Sequence, residues 1–171
     1  MGDLGWLTWL AAATALVWMT ALPYLVRGMR RVDWLRSSTA AADGACPPVT
    51  VCVAARDEAA DVEEAVRSFL SLDYPALEVV AVDDRSSDGT GRILRDLADE
   101  SDRLTVVRVD ELPEGWLGKN HALHRAAERA RGELLLFTDA DVVMEPDALQ
   151  RAVGRMERRG LDHLTAAAEQ A

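Results

Sequence analysis

The chain has 171 residues, of which 49% are hydrophobic, 28% charged and 5% aromatic, a balance that excludes a disordered or fibrous protein and makes one globular domain the first expectation. Its 29 acidic and 19 basic side chains leave a net charge of -10, which argues against nucleic acid as a partner, because phosphate backbones are bound through cationic surface. The two cysteines, Cys46 and Cys52, have neither metal-ligand spacing nor the pattern of a disulfide scaffold, so a reducing compartment is expected.

Residues 4–26, LGWLTWLAAATALVWMTALPYLV, contain no charge. As a helix of about 35 Å the run is long enough to cross a hydrocarbon core. Trp6, Trp9 and Tyr24 suit the two headgroup interfaces. A cleaved signal peptide is the alternative, but the run exceeds a usual signal core and its positive charges follow rather than precede it. Those charges are Arg27, Arg30, Arg31 and Arg36, and the positive-inside rule then keeps the C-terminal side cytoplasmic, with Met1–Asp3 outside. The expectation is a single-pass anchor over 1–36 in the plasma membrane or cell inner membrane, with the lipid bilayer as a partner. Net charge is +2 over 1–36 and -12 over 37–171, so the anchor is basic and the remainder acidic.

Residues 37–48, SSTAAADGACPP, are small and turn-forming and read as a linker. The soluble domain is expected over 49–171. It opens with a strand over 49–54, then a helix over 61–72 in which Asp61 and Glu64 have capping-box spacing. A strand over 77–82, a helix over 90–99 and a strand over 104–109 follow. After a loop rich in Pro, Gly and Trp come a helix over 120–130, a strand over 133–138 and a helix over 146–159 with Pro146 in its first turn.

Strand and helix alternate four times, and the strands VTVCVA, LEVVAV, LTVVRV and ELLLF read as apolar on both faces. The fold class is therefore α/β, a mostly parallel Rossmann-like sheet with flanking helices. In such sheets ligands bind beyond the carboxyl ends of the strands. Ala55-Arg56-Asp57-Glu58 follows the first strand, Asp83-Asp84-Arg85-Ser86-Ser87-Asp88-Gly89-Thr90 the second, and Asp139-Ala140-Asp141 the fourth. The glycine-rich phosphate loops of ATP and dinucleotide sites are absent from the sequence.

VAARDEA, VVAVDDRSSDGT and the DAD at Asp139–Asp141 together resemble the nucleotide-sugar-binding half of family 2 glycosyltransferases of the GT-A fold, over about 49–162. GWLGKNHAL at 115–123 further resembles membrane-anchored bacterial members, some of which act in lipid pathways. The resemblance implies a glycosyltransferase that moves a sugar from a nucleotide diphosphate-sugar, a UDP-sugar first, to an acceptor that the finer resemblance makes a lipid, with inversion. It implies donor contacts from Ala55, Arg56, Glu58, Asp83, Asp84 and Asp139, with Asp84 reading a uracil-like base; Lys119 is added to the donor contacts on its own chemistry. The family more often has Asn where this chain has Asp57.

The residues give an independent reason for that chemistry. An acidic domain can hold a diphosphate only if a divalent cation, Mg2+ or Mn2+, bridges carboxylates to phosphate oxygens. Asp139 and Asp141, two apart beyond a strand, are the candidate metal ligands, with Asp139 on the metal or the ribose as the resemblance implies. A solvated turn is the bland alternative. Asp88 reads as a helix cap or as a site residue. Lys119 is the single lysine of the chain and suits a phosphate near a helix start. Trp116 is a stacking platform or a core plug, and His121 and His124, three apart on a helix, lack a third metal ligand nearby.

Inverting transfer also needs a general base. None is evident in the sequence, and Glu169 is a poor candidate, so the base is expected beyond Ala171 and the chain reads as a truncated donor half. Two alternatives remain open: a nucleotidyltransferase-like enzyme, disfavoured because Ala55–Glu58 is not a basic glycine-rich loop, and a donor-binding or membrane-tethered interaction module without catalysis.

Overall fold

A computed structural model describes residues 5–29 and 46–167, which fall in two compact units divided near Ser37. The first unit is a helix, α1 (Gly5–Met29). Its stretch Gly5–Val26 is long and apolar enough to cross a membrane, and none of it is buried within the structure. Its threonine hydroxyls are satisfied internally. The hydroxyls of Thr8, Thr14 and Thr20 donate to the carbonyls of Gly5 (2.7 Å), Leu10 (2.8 Å) and Leu16 (3.1 Å), which suits a helix with no water around it. Arg30, Arg31, Arg36, Met1–Asp3, Glu169 and the linker through Ala45 lie outside the described residues.

The second unit runs β1 (Val49–Ala55), α2 (Val62–Leu70), β2 (Leu77–Asp84), α3 (Thr90–Glu100), β3 (Leu104–Val109), α4 (Gly118–Ala127), β4 (Leu134–Asp139) and α5 (Ala148–Arg159). All strand pairs are parallel and the order is β3-β2-β1-β4. The α/β expectation therefore holds, element by element. Because successive strand side chains point to opposite faces, the sheet supports two apolar layers. Val49, Val51 and Val53 of β1 meet Val79 of β2, Val66 and Phe69 of α2, Leu94 of α3 and Leu149 of α5 on one face. Cys52, Val80, Val82 and Val109 meet Ala122 and Ala126 of α4 on the other. Cys52 is fully buried there and burial pushes its thiol up to about 11, so it behaves as a small apolar side chain.

Three local expectations are corrected. Asp61 does sit at the N-cap of α2, but its side chain makes no capping bond. Pro146 lies before α5, whose N-cap is Asp147. The two edge strands are not buried on both faces: Thr105 and Arg108 of β3 and Leu135 and Phe137 of β4 are exposed, because each pairs with one neighbour only and α4 packs mainly over β1 and β2.

A polar clamp lies at the amino ends of the two central strands, opposite the carboxyl ends. Glu78 accepts from the Thr50 hydroxyl (2.5 Å), the Arg131 N–H (2.6 Å) and the Arg131 guanidinium (2.8 Å), while the Gly132 N–H donates to Thr50 Oγ1 (2.9 Å). It ties β1, β2 and the turn before β4 together.

Candidate functional site

Strand order runs outward from β1 to β2 and β3, then returns to place β4 on the other side of β1. That reversal separates the loops after β1 and β4 and leaves a crevice at their carboxyl ends. A cavity of about 350 Å3 lies there, lined by Ala54, Ala55, Arg56, Glu58, Asp84, Gly118, Lys119, Asp139, Ala140 and Asp141. Of the predicted site residues it gathers Ala55, Arg56, Glu58, Asp84, Lys119, Asp139 and Asp141. Asp83 is the exception. Adjacent residues on a strand face opposite ways, so Asp84 turns to the cavity while Asp83 is buried against α3, ion-paired with Arg108 and accepting the Ser86 N–H (3.2 Å). A β-carbon on Gly91 of α3 would collide with the Asp83 carboxylate.

Asp84 is itself buried and accepts two bonds from Arg85, Nε to Oδ1 at 2.8 Å and Nη2 to Oδ2 at 2.9 Å. The Arg85 fork holds the Asp84 carboxyl below the usual carboxylate range, against the opposing effect of burial. Arg85 has a left-handed backbone (φ 59°), uncommon for a long side chain; its N–H is bound to the Val109 carbonyl at 3.0 Å. Gly118, the first residue of α4, sits so close that any β-carbon would lie 2.8 Å from Arg85 Nη2.

The loops after β1 and β2 are clasped together by the DGT segment. Asp88 accepts from the Ala59 N–H (3.1 Å), the Thr90 N–H (2.9 Å) and the Thr90 hydroxyl (2.6 Å), and Thr90 Oγ1 accepts from the Glu58 N–H (2.8 Å). Asp88 therefore orders the loop that carries Arg56 and Glu58, and it does not line the cavity. Asp57, also left-handed (φ 56°), accepts the Ser87 N–H at 2.7 Å, which lowers its carboxyl. A short polar residue that tolerates this conformation is what the position requires.

On the opposite wall Asp139 ends β4, and Lys119, second in α4, is ion-paired with it. Asp141 is exposed and has no ion-pair partner among the described residues. Trp116 is neither buried plug nor isolated: its ring stacks on His124 (centroids 5.1 Å, 23°) and meets His121 edge-on (5.4 Å). Among the described residues no group of three or more His, Cys, Asp and Glu side chains could hold a metal by itself. Asp139 and Asp141 are hard oxygen donors on one open wall, the donor set of a cation that takes its remaining ligands from water and phosphate. Arg85, Gly118 and Arg108 were not anticipated from sequence; Gly118 lies within GWLGKNHAL, but its close approach is a three-dimensional fact.

A family model described as glycosyl transferase family 2 matches residues 50–169. The chain belongs to that family. A mannosyltransferase from Pyrobaculum calidifontis, solved in complex with GDP-Man and Mn2+, superposes with a TM-score of 0.69 at 34% identity, over 85% of this chain and 42% of that one. The S. aureus TarS fragment 1-349 in complex with UDP-GlcNAc gives 0.56 at 28% identity, over 66% and 32%. A beta-monoglucosyldiacylglycerol synthase of Trichormus variabilis is 37% identical over 117 residues, 67% of this chain and 25% of the relative. The chain thus spans about a quarter of the length of that curated relative. The GT-A-like sheet and the glycosyltransferase class are those of the family.

Proposed function

We propose that residues 49–171 are the nucleotide-sugar donor domain of an inverting glycosyltransferase, joined by a linker over 37–48 to a membrane anchor over 1–36, with the donor domain on the cytoplasmic side and a lipid as acceptor. The observation that carries the reading is the convergence of Asp84, Lys119, Asp139 and Asp141, from the ends of β2 and β4 and the start of α4, on one cavity where strand order reverses.

In this reading Asp84, locked by Arg85, accepts an N–H of the base. Uracil and guanine both offer one, in keeping with neighbours that carry UDP-GlcNAc and GDP-Man. Gly118 keeps the approach to Asp84 open, and Ala55, Arg56 and Glu58 line the nucleotide's side of the cavity. Lys119, at the start of α4, offers an ammonium to the diphosphate where helix N–H groups also favour negative charge. Asp139 and Asp141 hold a Mg2+ or Mn2+ ion, which when bound neutralises the departing diphosphate. Support for the lipid acceptor is the name of the beta-monoglucosyldiacylglycerol synthases. Support for the anchor is the apolar helix α1, followed by arginines.

The test is calorimetric titration of the full chain with UDP and GDP, with and without Mn2+ or Mg2+. Binding is expected to require the cation, and Asp141→Ala is expected to abolish the cation-dependent part. Tight binding that ignores the metal, or no binding under either condition, overturns the reading.

A further inference from the structure

Lys119 and Asp139 face each other from the start of α4 and the end of β4, and their ion pair spans the cavity wall. Both side chains are more than half exposed, at 58% and 53%. An exposed pair is weak and easily exchanged, because water screens it and both side chains lose freedom to form it. Asp84 is already matched by Arg85, and of the two cations that line the cavity, Arg56 and Lys119, it is Lys119 that pairs with Asp139 before any ligand arrives. The chain uses arginine everywhere else. An arginine fork would hold a carboxylate through two bonds, whereas a compact ammonium holds it at one point and can turn to another anion.

We propose that Lys119 is an exchange residue: it holds Asp139 in place while the donor site is empty, yields that carboxylate to the divalent cation, and moves its ammonium to the diphosphate. The inference rests on the donor-site reading and deepens it. Its consequence is coupling between ligands. A cation that takes Asp139 frees Lys119 for phosphate, and a diphosphate that draws Lys119 away frees Asp139 for the cation, so each ligand strengthens the other by the same factor.

The experiment is calorimetry on the full chain with Mn2+ alone, with UDP alone, and with UDP at saturating Mn2+, comparing the unaltered chain with Lys119→Met and Lys119→Arg. Because the lost pair is an exposed one, Lys119→Met is expected to bind Mn2+ alone about threefold more tightly. It is expected to bind UDP at saturating Mn2+ about tenfold more weakly, because a charge-assisted bond to phosphate is gone. Lys119→Arg is expected to retain UDP binding and to weaken Mn2+ alone. Opposite signs for the two ligands in Lys119→Met are the signature; a merely structural lysine moves both the same way or neither. Equal signs, or no change, overturn the exchange while leaving the donor reading intact. Absence of cation-dependent UDP and GDP binding in the unaltered chain overturns the donor reading itself, and the exchange with it. Thermal melts of each variant separate misfolding from altered binding, and a Lys119→Met chain that melts early is replaced by Lys119→Gln.

Discussion

A β-carbon placed on Gly118 would lie 2.9 Å from Oδ2 of Asp84. Two elements distant in sequence, the start of α4 and the end of β2, thus meet with no room for a methyl group, and they meet where Arg85 grips the carboxylate. The close approach is what lets α4 deliver Lys119 to the cavity wall.

Gly118→Ala is expected to weaken nucleoside diphosphate binding about tenfold while leaving the melting temperature nearly unchanged. The added methyl displaces the Arg85 fork, but the preference for alanine over glycine, about 1 kcal/mol in a helix interior and smaller at this first position of α4, offsets part of the crowding. Calorimetry with UDP and a thermal melt on the same sample read the two effects separately.

Gly132→Ala is expected to do the reverse. Its β-carbon would lie 2.5 Å from the Thr50 backbone nitrogen and 2.8 Å from the Val49 carbonyl carbon, and the central strand β1 cannot move aside. A loss of about 2 kcal/mol in urea unfolding is expected, in the range for overpacked interiors, with UDP binding unaltered below the transition.

Asp84 predicts an acid limb in stability. Its carboxyl is held low by Arg85, so the folded value lies below the unfolded one, roughly 3.9. The stabilisation is complete above that value and is lost as pH falls through the lower folded one. Asp84→Asn is therefore expected to melt earlier than the unaltered chain at pH 7, with the gap narrowing below about pH 4. A gap that stays constant across that range in melts followed by circular dichroism contradicts the assignment.

Much of the fold is legible in the sequence because it rests on local rules. The βα alternation, the apolar strands and their acidic exits follow from periodicity and turn chemistry, and α1 follows from an uncharged run of sufficient length. The burial of β4 was misjudged for a physical reason: ELLLF reads the same whether a helix covers one face or two, and coverage depends on where α4 lands. The Asp61 cap failed similarly, since spacing permits a capping bond without requiring one.

Residue order and periodicity suffice for the α/β class, the resemblance to family 2 glycosyltransferases and the concentration of carboxylates at strand exits. Tertiary structure alone decided which of them share a cavity. Asp83 and Asp84 are neighbours in the chain, yet the pleat sends one to Arg108 and the other to the site. Lys119 and Asp139, 20 positions apart in the sequence, become partners because the return of β4 beside β1 brings the end of one element to the start of another. Side-chain direction and strand order are set by how the whole chain packs, and no local pattern of residues encodes them.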